Sequence, residues 1–163
     1  MLKAFLLSFI FMTGISTQAQ SQVPSVILSD TQVVQVLYTI DENEIDASKR
    51  ADGKAQNSEV ESFAKQMVAL HKIHQDDIKK LNKRNSIDMR NSDLNKGLKD
   101  EAERAYKDLK NADDENFDRI YINQQVTMHQ RTLDLINGAL LPNAKNEELR
   151  RFLTHTLQQV TQH

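Results

Sequence analysis

Four of the chain's five histidines fall where helical spacing turns a side chain inward. They are His71, His74, His129 and His163. Imidazole can carry a proton near neutral pH or ligate a transition metal through a ring nitrogen. Between Val60 and Leu81 the apolar residues Val60, Phe63, Met67, Leu70, Ile78 and Leu81 recur at three- and four-residue steps; His74 fills the one gap, and His71 lies beside Leu70. Ile122, Val126, Leu133, Ile136 and Leu140 form a second row, and His129 takes its missing step. Leu149, Leu153, Thr156 and Val160 form a third, which ends on His163. A buried polar group left unpaired costs about 1–3 kcal/mol. These rings are therefore either satisfied by structural hydrogen bonds or converge on a ligand.

If they converge, the chemistry is that of a histidine-rich mononuclear site, since imidazole suits copper, zinc, nickel or iron. His71 and His74 share one helix face. Glu44 is the acid that the apolar row Val33, Val34, Leu37, Ile40 carries inward. The candidate metal set is thus Glu44, His71, His129 and His163, with His74 as a further candidate, and the implied cofactor is a transition-metal ion. Axial heights count against one four-histidine centre. At about 1.5 Å per residue, Glu44 stands roughly 10–15 Å from the turn joining the first two helices and His71 roughly 20 Å. From the turn at Pro142, His129 stands roughly 15–20 Å away and His163 roughly 25–30 Å, with His155 nearer the level of His129.

The neighbouring acids Asp41, Glu42 and Asp46 read as the solvated face of the first helix. That leaves Glu44 alone pointing inward, in need of a partner such as Arg131, His71 or Tyr121. Asp118 reads as a helix-start cap or dipole partner. Phe117, Tyr121 and Met128 read as packing residues, and Arg150–Arg151 as a surface pair. No nucleophile elbow, phosphate loop or triad-like set is present. With no cysteine, the chain has no thiol nucleophile and no zinc–thiolate site.

Helices must position these residues, because no alternating stretch long enough for a sheet occurs. The first opens at Ser29 or Asp30 and stops near Gly53. The second begins after Asn57 or Ser58, with Glu61 at capping-box spacing from Ser58, and runs through Leu81. A polar connection, 85–92, leads to a weaker, highly charged helix carrying Leu94, Leu98, Ala102, Ala105 and Leu109. The acids of 113–115 start a fourth helix, which runs to Ala139 and is ended by Pro142. A fifth occupies 146–163. Short connections make neighbours antiparallel, so the expected architecture is all-α: an up-and-down bundle of four long helices plus one weaker one.

Lys3, the apolar run Ala4–Ile15 and the small residues Thr17 and Ala19 read as a secretory signal peptide over 1–19. The apolar run is too short to span a bilayer core of roughly 30 Å. A short extension, 20–29, and one bundle domain, 30–163, follow. Removing Lys3 from the 21 basic residues leaves 20 against 23 acidic ones, a near-neutral mature chain. Nothing in that balance provides the concentrated basic surface that nucleic-acid binding needs. An exported chain without cysteine has no disulfide framework and must rely on its core.

The residues also carry a family resemblance. The run Asn57-Ser58-Glu59-Val60, then Phe63-Ala64 and Met67-Val68 with His71, resembles the opening block of the bacterial domain-of-unknown-function family 4142. Phe117-Asp118, Tyr121, Val126 and His129 are similar to its second block. Glu147, Leu149, Phe152, Thr156-Leu157 and His163 are similar to its third, and Glu44-Ile45 falls where the family has a glutamate. The resemblance covers roughly 30–163. It implies an exported, ferritin-like bundle of the periplasm or outer membrane, and no particular activity. Where the family has an acid before the histidine, this chain has Leu70. A di-iron centre in such a bundle needs Glu-x-x-His pairs. None occurs; the residues three before His71, His129, His155 and His163 are Val68, Val126, Phe152 and Val160. The expectation is a non-enzymatic binding or structural module of the cell envelope, with an envelope protein or a second copy as partner. The competing expectation is a metal-binding or redox protein using the buried His and Glu side chains.

Overall fold

Ser29 opens the first helix as expected: it holds extended backbone, and its N–H donates to Gln32 Oε1 at 3.0 Å. The computed structural model describes residues 26–162, and every regular element among them is helical. Helix α1 spans Asp30–Lys54, α2 Ser58–Asn85, α3 Asp93–Asn111, α4 Asp114–Leu135 and α5 Glu147–Gln162. This is the expected all-α bundle. The segment read as a signal peptide, 1–19, and the candidate ligand His163 lie outside the described residues.

Boundaries differ from the sequence reading in three places. Gly53 does not stop α1; helical backbone continues to Lys54, because a glycine one residue from a helix end costs little. Of the two starts the sequence offers for α2, Asn57 is the cap, its side chain accepting from the Glu59 N–H at 2.7 Å. That helix runs four residues past Leu81 and closes on Ser86 in the left-handed conformation, φ 52°. Pro142 does not end α4 at Ala139. A π-turn over Ile136–Leu140 widens the backbone, and the helix continues through Leu141–Asn143. The wider turn re-routes the hydrogen bonding ahead of the proline, which itself lacks a donor. The charged α3 is a complete helix, and Ser92 caps it by accepting from the Asn95 N–H at 3.3 Å.

α1 and α2 form an antiparallel pair, with α3, α4 and α5 packed around them. Two apolar clusters occupy the two ends of α1. One gathers Val33, Val34, Val36, Leu37 and Ile40 with Ile78, Leu81, Ile136, Leu140, Leu149 and Leu153. The other gathers Ala51, Ala64, Leu109, Phe117 and Tyr121. The stretch of α1 between them is where the buried polar residues Asp41, Glu44 and Ser48 fall. Among the described residues, no helix is long and apolar enough to cross a membrane.

The second row of the sequence is buried at Ile136 and Leu140 as expected, but its first half is rotated on α4. Val126 is 66% exposed, whereas Phe117, Tyr121, Gln125 and Thr132 are buried. The apolar character of Ile122 and Val126 points to a face about 100° away from the one that packs, one residue along the helix. His129 lies at the border of both faces, so it turns inward on either reading.

Candidate metal centre

The polar layer is built from three helices. α1 supplies Asp41 and Glu44, each 1% exposed. α2 supplies His71 and His74, and α4 supplies Gln125 and His129. Ligand atoms of Glu44, His71 and His129 all lie within 4.8 Å of one another. The rings of His71 and His129 meet edge-on with centroids 6.2 Å apart. The height difference expected between Glu44 and His71 does not keep them apart. Helical side chains lean toward their own N-terminus. On antiparallel α1 and α2, that lean moves Glu44 away from the connecting turn and His71 toward it, so the two levels coincide.

Hydrogen bonds set the orientation of each ring. His71 Nδ1 lies 2.8 Å from Asp41 Oδ1. An ionised carboxylate only accepts, so the proton sits on Nδ1, and Nε2 of the neutral ring carries the lone pair. His71 Nε2 is buried with no hydrogen-bond partner. His129 Nδ1 lies 2.9 Å from the Gln125 carbonyl oxygen, again an acceptor, and 3.6 Å from Glu44 Oε1. A ligating histidine ordinarily donates its other ring N–H to a carboxylate or a backbone carbonyl, and both arrangements are present here. Glu44 Oε2 accepts from Gln125 Nε2 at 2.9 Å.

The charges fit a cation. Burial is the main cause holding the Glu44 carboxyl above its ordinary value; the His71 and His129 charges and the Gln125 bond work against it, and Asp41 adds to it. Desolvation pulls the His71 imidazole down. The Asp41 hydrogen bond and the Glu44 and Asp41 charges outweigh it and hold the ring above its ordinary value. Both groups thus hold a proton more tightly than usual, and each must release it before ligating a metal. Both carboxylates are paired with imidazoles rather than with lysine or arginine. Next to them, Tyr121 bonds Ser48 at 2.9 Å, and its hydroxyl is pushed up to about 12, chiefly by burial.

Several readings of the sequence need correction. Glu44 is not the only inward acid of α1: Asp41 is buried too, accepting from His74 Nδ1 at 2.8 Å as well as from His71. It sits four residues after Leu37 and three before Glu44, so helical spacing carried the signal. Arg131 does not reach Glu44; it pairs with Glu101 at 2.8 Å on the surface. Tyr121 turns to Ser48. His74 stands outside the ligand cluster: its Nε2 lies 2.9 Å from Thr156 Oγ1, and its ring stacks on Phe152 with centroids 5.1 Å apart. His155 is exposed. Gln125 was missed because an amide on a misread face carries no apolar signal. Asp118 accepts from the Asn57 N–H at 2.7 Å and the Gln56 N–H at 3.1 Å, which makes it a cap for the α1–α2 turn.

An all-α bundle whose core is interrupted by a layer of carboxylates and imidazoles is a fold with a built polar site. The family match agrees with the resemblance: the chain belongs to the family described as a domain of unknown function, DUF4142, which matches residues 15–163. No curated protein and no solved structure matches the chain.

Proposed function

We propose that this protein is a non-enzymatic binding module of the cell envelope whose ligand is a divalent transition-metal ion, held by Glu44, His71 and His129. One observation carries the reading: three ligand atoms from three helices, a buried carboxylate and two half-buried imidazoles, lie within 4.8 Å of one another. A tetrahedral centre with bonds of about 2.0–2.1 Å needs ligand atoms about 3.3 Å apart. Binding would therefore draw the three inward by up to about 1.5 Å, within the reach of side-chain rotation. Two imidazoles and a carboxylate suit zinc, iron, nickel or copper(II). Asp41 adds a second buried negative charge one bond behind His71, so two carboxylates balance a dication. The setting rests on the N-terminal residues, whose apolar run and small residues support export to the periplasm or outer membrane.

The test is metal analysis of protein purified from its native compartment, joined to thermal denaturation with added zinc, copper, nickel or iron. The expected result is a co-purifying ion and a rise in Tm that is lost when His71→Ala and His129→Ala are combined. Absence of any co-purifying ion, together with a Tm unmoved by all four, overturns the reading.

A further inference from the structure

Gln125 lies on α4 one turn before His129 and is 3% exposed. Its Nε2 donates to Glu44 Oε2 at 2.9 Å, which fixes the amide's orientation, because the carboxylate can only accept. The other end of the amide, Oε1, is buried with no hydrogen-bond partner. The N and O of one amide are about 2.2 Å apart by standard bond lengths, so Oε1 sits no more than about 5 Å from the Glu44 carboxylate. The layer therefore holds two buried electron-pair donors without donor partners, Gln125 Oε1 and His71 Nε2, beside a third in Glu44. A further hydrogen-bond acceptor cannot satisfy any of them. A cation is the kind of group that electron-pair donors of this set call for.

We propose that Gln125, through Oε1, is the fourth ligand of the centre formed by Glu44, His71 and His129. This rests on the metal reading above and deepens it. Four protein donors, two imidazole nitrogens and two oxygens, complete a tetrahedral shell. Such a centre holds its ion and presents no open position to a substrate, as closed structural sites do and three-ligand catalytic sites do not. The amide is suited to the role. Donation from Nε2 to Glu44 Oε2 draws electron density onto Oε1. It also links the two oxygen ligands in a ring of metal, carboxylate and amide that sets both at once.

Cobalt(II) substituted for zinc tests this, because its visible bands report coordination and azide enters only an open or water-filled position. Wild-type protein is expected to bind cobalt and give a spectrum that azide leaves unchanged. Gln125→Ala is expected to bind cobalt about 10–100-fold more weakly and to gain an azide-dependent band. Gln125→Glu keeps an oxygen donor at that place. It should bind cobalt at least as tightly as wild type, with no azide response, although two facing carboxylates lower the Tm of its metal-free form. A wild-type spectrum that shifts with azide overturns the proposal while leaving the metal reading intact, and it needs no variant to fold. Cobalt binding weakened in Gln125→Glu as much as in Gln125→Ala also overturns it, since that pattern marks Gln125 as only a donor to Glu44. Failure of wild-type protein to bind cobalt at all removes both readings together.

Discussion

Replacing Asp41 with asparagine separates the support of the centre from its ligands. Asp41 is 1% exposed and takes bonds from two imidazoles, His71 at 2.8 Å and His74 at 2.8 Å. Asparagine offers one acceptor oxygen and an NH2 that only donates. If the oxygen stays with His74, the NH2 faces His71 Nδ1. That nitrogen must then carry the lone pair, and the ring proton moves to Nε2, the nitrogen left for the metal. Hydrogen bonds to a charged group are worth about 1.5–3 kcal/mol each, and asparagine replaces both with neutral bonds worth about 0.5–1.5 kcal/mol each. The expected loss of stability is therefore about 2–4 kcal/mol. For a domain of this length about 3 °C corresponds to each kcal/mol, so Tm falls by roughly 6–12 °C. Zinc affinity falls about 10–100-fold, the usual consequence of removing a partner behind a metal-bound histidine. Thermal denaturation of the metal-free protein gives the first number and calorimetric zinc titration the second. Nitrogen-15 NMR of the imidazoles reports the tautomer directly. Asp77→Asn, on the same helix as His71 but paired with Lys80 at the surface, is the control and should leave both nearly unchanged. Wild-type zinc affinity in Asp41→Asn, with His71 still holding its proton on Nδ1, would refute the reasoning.

Three further outcomes are expected. Burial raises the Glu44 carboxyl above 4.5, so its contribution to metal-free stability is full below that value and is lost as pH rises through the folded-state value. His71, raised above 6.5, contributes with the same sign at higher pH. Glu44→Gln should therefore gain on wild type in urea midpoint as pH climbs from acid to neutral; a pH-independent difference contradicts this. Zinc must displace the protons that Glu44 and His71 favour, so its affinity should rise with pH from weakly acid to neutral conditions, and a flat calorimetric profile would count against these two as ligands. Tyr121→Phe strands the buried Ser48 hydroxyl and should cost about 1–2 kcal/mol in urea denaturation, with zinc affinity unchanged.

The helical character of the chain was legible in its residues, since caps, apolar rows and the absence of alternation are local properties. Ser29, Asp113 and the acids after it marked helix starts that the structure bears out. Glu44, His71 and His129 were legible for a similar reason: Glu44 and His129 fall on rows of apolar residues, and His71 lies beside Leu70 of another. Their meeting was not, because axial counting places Cα atoms and ignores the lean of side chains on antiparallel helices. Pro142 misled because a proline signals a helix end unless a wider turn absorbs it, and here that turn carries the buried residues Ile136, Ala139 and Leu140.

The sequence by itself determined the elements, the cysteine-free chemistry and the exclusion of a Glu-x-x-His di-iron site, because these follow from residue type and spacing along one helix. Only the tertiary structure decided which face of α4 packs, that Asp41 joins Glu44 inside, that His74 stands outside the ligand cluster, and that Gln125 is buried beside Glu44 with an unpartnered amide oxygen. The physical reason is that a polar side chain gives no hydrophobic signal of its own. Whether it is buried depends on the partners that other helices bring to it, and those partners are far away in the chain.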